Sequence, residues 1–134
     1  MTASNALQKL VYERLIADAG VAAVVGQRVF DNVPAGAVFP YITFGPSDVF
    51  STDAACIVGR TETLQLDCWS RLAGKLQEVK TIADAVKTAL HGFDGVMTEN
   101  ALVAMRVISI RYFRDPDNIT AHGVVTVEAM VEEA

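Results

Sequence analysis

Residues 61–71 read TETLQLDCWSR, and their alternation decides how the chain is to be folded. In an extended chain Glu62, Leu64, Leu66 and Cys68 share one side, and Thr63, Gln65, Asp67 and Trp69 the other. The first side is mostly apolar, so it is expected to pack beneath helices, with Asp67 and Trp69 on the opposite sheet face. Ser70 stands at a strand–helix junction, where a hydroxyl can satisfy orphan amides. Residues 73–90, AGKLQEVKTIADAVKTAL, then carry apolar side chains at helical spacing: Leu76, Val79, Ala83, Val86 and Leu90. Lys75, Glu78, Lys80, Asp84 and Lys87 fall on the wet side, and His91 and Gly92 close the helix.

Downstream, residues 102–114 and 119–131 both read as extended, joined by the turn formers Asp115, Pro116, Asp117 and Asn118. A four-residue loop pairs Arg114 with Ile119, Tyr112 with Ala121, Ile110 with Gly123, Ile108 with Val125 and Ala104 with Ala129. That register makes one face apolar, with Arg106 opposite Val127 as its one charge. The other face pairs Arg111 with His122, Ser109 with Val124, Val107 with Thr126 and Met105 with Glu128.

Upstream, residues 4–18 predict a helix with Leu7, Leu10, Val11 and Leu15 inward, capped by Ser4 or Asn5 and ended by Gly20. VAAVVG at 21–26 adds one apolar turn. Strands are expected at 28–33 and 41–44, with Pro40 marking a strand start or an edge. Residues 45–59, GPSDVFSTDAACIVG, sustain neither period. They read as a long functional or mobile connection, able to fold back as a short β-arm near Asp48 to Phe50 on assembly. The expected fold is α+β: an antiparallel sheet of four to five strands, two helices packed on one face, and the second face uncovered.

The 134 residues fit one domain, 1–134, and about two thirds of the unfolded surface of such a chain is buried on folding. Half the residues are hydrophobic, more than a small core easily hides, which points to an interface. A net charge of −5 argues against binding to phosphate backbones. Cys56 and Cys68 fit no disulfide framework and no CxxC signature, so reduced thiols and a cytoplasmic setting are expected. Glu13 and Arg14 interrupt the apolar residues of the amino terminus, which predicts neither a signal peptide nor a membrane anchor.

Chemistry finds no anchor. Ser70, Asp67 and His91 or His122 could compose a triad on paper, but no GxSxG surrounds the serine. Cys68 on an apolar side is a poor nucleophile. Asp115–Asn118 opens like a calcium loop, then fails at Ile119, Thr120 and Thr126. No metal-ligand spacing and no phosphate-cradling glycine loop is present, so no cofactor is expected. Arg106, Arg111 and Arg114 with Tyr112 and Phe113 could contact nucleic acid. Alternation divides them between faces, however, and inter-subunit salt bridges are the favoured use.

Several phrases occur in a telling order: ALQKLVYERLIAD, RVFDNVPAGAVFPYITFG, TLQLDCWSR, IADAVKTAL, and a terminal strand pair ending in an acidic tail. Together they resemble the tail-completion, or tail-terminator, family of siphophage-type tails, found in phage, prophage and gene transfer agent tail clusters. The resemblance implies a structural subunit without catalytic residues. It forms a ring-shaped homo-oligomer, a hexamer, at the head-proximal end of the tail tube. The ring stops polymerisation of the tail tube protein and offers a surface to the head-completion or stopper protein. DNA passes through without specific binding, and no membrane is involved. Such a protein is made in the host cytoplasm and becomes part of the particle's tail. Subunit or partner contacts are expected at Asp48, Phe50, Asp53, Arg60, Trp69, Arg106, Arg111 and Arg114. The alternatives are a neighbouring connector (a stopper or tube-like subunit) and, from another class, a small cytosolic enzyme using Cys68 or Ser70.

Overall fold

The computed structural model describes residues 1–134. Helix α1 (Ala3–Ala17) buries Ala3, Ala6, Leu7, Val11 and Leu15, the stripe that its spacing dictates. Its N-cap is Thr2, and the expected capping residue Ser4 instead donates to Glu62 Oε1 at 2.7 Å. The chain turns at Asp18, whose Oδ2 accepts from Val21 N at 3.0 Å and caps α2 (Ala19–Val25). Gly20 therefore lies inside a second helix rather than ending the first. The apolar turn expected at 21–26 belongs to that helix.

The strands are β1 (Val29–Phe30), β2 (Tyr41–Ser51), β3 (Gly59–Ser70), β4 (Ala101–Arg114) and β5 (Ala121–Glu132), with α3 (Gln77–Leu90) between β3 and β4. They form one five-stranded sheet in the order β1-β2-β3-β5-β4. Only the short β1–β2 pair is parallel. The fold is α+β, as expected. α3 lies over β3, β5 and β4, α1 sits beside β1, and α2 packs against both helices. Twenty-six buried residues fill the space between helices and sheet, with Leu7, Leu15, Ile42, Leu66, Ile82 and Leu90 fully enclosed. Each such side chain contributes about 1.5–3 kcal/mol relative to exposure. At Gly123 a Cβ would stand 3.1 Å from Val79 Cγ2, so the bare backbone lets α3 settle close.

Three local expectations are corrected. First, α3 starts at Gln77 and not at residue 73, because Ala73 (φ 55°) and Gly74 (φ 72°) adopt left-handed backbone. Gly74 N donates to Ile119 O at 3.1 Å and Arg114 Nε donates to Gly74 O at 2.7 Å, tying this turn to the β4–β5 connection. Second, much of the stretch 45–59 is strand: β2 runs on to Ser51, paired as far as Arg60 of β3. Its pattern is erased because a register shift follows Phe44, and residues 46–51 then project beyond the helices with both faces wet.

Third, the β4–β5 register differs from the four-residue-loop reading. Arg114 pairs with Ala121, Tyr112 with Gly123 and Ile110 with Val125. The loop is longer because Asp117 Oδ1 accepts from Ile119 N at 3.0 Å and Thr120 N at 2.9 Å, holding both residues in the turn. Register shifts around Ile108 and Val103 then turn β4 over. Met105 and Val107 point into the core, whereas Ala104, Arg106 and Ile108 face solvent. Arg106 is thus no charge on an apolar face. It pairs across the strands with Glu128, Nε to Oε1 at 3.0 Å.

Candidate assembly interface

No helix covers the outer face of the sheet, and its side chains line up in cross-strand rows. The first row is aromatic: Tyr41, Trp69, His122 and Phe113 are successive partners across β2, β3, β5 and β4. Trp69 stacks on His122 with ring centroids 3.8 Å apart, and Phe113 lies 4.6 Å from the same imidazole. The indole N–H donates to Thr43 Oγ1 at 3.0 Å. The next row runs Thr43, Asp67, Val124 and Arg111, and a later one Asp48, Thr63, Glu128 and Arg106. The last row, Phe50, Thr61, Met130 and Ala104, is largely apolar and uncovered: Phe50 is 62% and Met130 44% exposed. Anchored aromatics at one end, charges in the middle and bare apolar side chains at the other make a surface suited to a protein partner.

The tip of the β2–β3 hairpin continues the apolar end. Ile57 and Val58 are exposed, and the tip is closed by Asp53 Oδ1, which accepts from Gly59 N at 3.1 Å. Among the expected contact residues, Asp48 and Phe50 lie on this exposed arm and Trp69 lies in the aromatic row. Arg106 and Arg111 both point outward from β4, not to opposite faces. Arg114 reaches Gly74 O around the end of the sheet. Arg60 is engaged within the subunit. It donates to Ser4 Oγ and Glu133 Oε1, both at 2.8 Å, and lies 4.0 Å from the buried Glu62. The hydrogen bond to Glu133 is the largest influence holding its guanidinium above the usual arginine range.

The residues considered for catalysis are divided by the sheet. Ser70 is buried on the helical side, where it donates to Glu78 Oε1 at 2.5 Å instead of capping backbone amides. Cys68 is buried beside it, and burial, with the charge of Asp67, pushes its thiol far above the ordinary range. Asp67 and His122 do meet on the outer face, Oδ1 to Nε2 at 2.7 Å, with Gln65 Nε2 donating to the same oxygen at 3.0 Å. The sequence offered these two residues only within a triad on paper, because nothing in it makes β3 and β5 neighbours; Ser70, the third member, lies on the other side of the sheet. His91 sits elsewhere again, capping α3 and accepting from Val107 N at Nδ1. No three or more His, Cys, Asp or Glu side chains gather as a metal site. A cleft of about 290 Å³ between α1 and the β1–β2 edge is lined by Asn5, Gln8, Lys9, Tyr12, Asp31 and Phe44, without a nucleophile beside a base. No helix is long and apolar enough to cross a membrane.

Residues 9–132 match the family described as tail completion protein gp17. Among solved structures, a chain from the virion of a native gene transfer agent particle is similar over nearly the whole length. It is 30% identical, with a TM-score of 0.91 and 98% of each chain covered. No curated protein matches the chain.

Proposed function

On the premise that this chain belongs to the tail completion protein gp17 family, a family of tail structural proteins, we propose that it ends the tail tube and joins tail to head. The observation that carries the reading is the near-complete likeness to a subunit of a gene transfer agent virion. In this reading identical copies, six to a ring, dock through heterologous contacts that close on themselves. One side of the ring meets the last ring of tail tube protein and stops its growth. The other receives the head-completion or stopper protein. The subunit's net charge of −5 favours passage of DNA through the ring without retention. It works after synthesis in the host cytoplasm, as a fixed part of the tail, and performs no catalysis.

The rows of the outer sheet face and the exposed hairpin tip support this role, because they are apolar or charged surface that the subunit's own core does not use. Deleting the gene tests it. Electron micrographs of the deletion strain are expected to show tubes of uncontrolled length and heads without tails. Normal-length, head-bearing tails in the deletion would refute it. Cryo-electron microscopy of complete particles would separate a terminator from a stopper or tube-like subunit by its position on the tail axis.

A further inference from the structure

The two free edges of the sheet differ in charge. At one edge β1 covers only Ile42 and Thr43 of β2, so the rest of β2 and the hairpin tip stand open. Residues 44–58 carry Asp48 and Asp53 and no basic side chain, together with exposed Phe50 and Val58. At the other edge is β4, the last strand, with Arg106, Arg111 and Arg114 and no acid. Its irregular positions push Val103 and Ile108 outward, 62% and 46% exposed. Asp48 has no cationic partner within the chain, and neither Arg111 nor Arg114 has an anionic one. Two such edges on one molecule complement each other but not themselves. They suit head-to-tail contact between copies, not a two-fold dimer.

We propose that the β2–β3 arm of one copy lies along the β4 edge of the next, its acids on the neighbour's arginines and its apolar tip on the side chains displaced by the β4 bulges. The inference rests on the ring reading above and specifies which surfaces build it. Unpaired β4 backbone would otherwise invite indiscriminate strand pairing. The bulges and arginines limit that edge to a partner carrying the right charges.

Charge reversal in cells whose own gene is deleted tests the contact, read as the amount of this protein on purified tails. Asp48→Lys and Arg111→Glu are each expected to lower occupancy ~10-fold or more. The double variant, in which every contact carries the swapped pair, is expected to recover most of it. Thermal melting of each purified variant identifies any that fail to fold. A second measurement avoids charge changes altogether. With Ile108→Cys in the chain, a flexible bis-maleimide acting on intact tails is expected to link it to the native, exposed Cys56 of the neighbouring copy and give a ladder of multiples. Adding Cys56→Ser abolishes the ladder. Tolerated single reversals, a double variant no better than either, or no ladder would overturn the contact while leaving the tail role standing. Wild-type protein missing from tails would overturn both.

Discussion

Cys56 and Cys68 lie in opposite environments, one exposed at the hairpin tip and one sealed under α3. Burial keeps the Cys68 thiol protonated well above the pH at which a free thiol ionises. A maleimide or iodoacetamide is therefore expected to add one label to the native chain and two in denaturant, counted by mass spectrometry. Rapid double labelling of the native chain would contradict this burial. Because the folded-state value is raised, the contribution of Cys68 to stability is complete below the unfolded pKa of about 8.5 and declines as pH rises beyond it. Asp117 behaves in the opposite sense. Hydrogen bonds from the Thr120 hydroxyl, then from the Thr120 and Ile119 amides, hold its carboxyl below the usual aspartate range. Its contribution is present above the ordinary value near pH 4 and disappears as pH falls through the lowered one. Asp117→Ala should speed hydrogen exchange at the amides of Ile119 and Thr120 at neutral pH and remove that part of the acid limb. Unchanged exchange at both amides would show that the aspartate does not hold the turn.

Elements were legible wherever one face alone was buried. The α1 and α3 stripes and the alternation of β3 told the truth, and with β3 came the placement of Asp67 and Trp69 on the outer face. Illegible were the places where the chain changes its own period. The β4 irregularities fall beside adjacent apolar pairs, Leu102–Val103 and Val107–Ile108, an interruption of alternation that could have been read as a change of face. Missing them misassigned Arg106. The β3–α3 turn hid for another reason: Ala73 is a good helix former, yet it is left-handed here beside Gly74, which is tied to Ile119 and Arg114, residues remote in sequence. Gly74 is the residue on which that turn depends, since a Cβ there would collide with Asn118 O. Gly74→Ala is expected to cost about 2–3 kcal/mol, through strain at positive φ and displacement of the β4–β5 loop. Gly92→Ala has the same sign of φ but open space around it, and should cost less. Denaturant melts of the two variants check the order, and equal losses would place the whole cost in backbone strain.

At the scale of the whole molecule, the core and the surface proposed for assembly are separate. The core cluster lies between the helices and the sheet, while the hairpin tip adds exposed Ile57 and Val58 and buries almost nothing. Thr52 N donates to Gly59 O at 2.9 Å, so an Asn-Gly turn can replace residues 53–58 between them without altering the register of β2 and β3. The exchange discards the Glu133 N to Val58 O hydrogen bond, while a shorter loop recovers some closure entropy. Stability should therefore change by no more than about 1 kcal/mol, a shift of a few degrees in the melting temperature. On the proposed contact, completion of tails should fail all the same, because the trimmed chain lacks Asp53 and the apolar tip that its core never needed. Melting temperature and tail length measured on the same variant separate the two roles. A trimmed protein that melts normally and still completes tails would mean the exposed tip serves neither. One that unfolds would mean the arm is part of the fold and not a contact added to it.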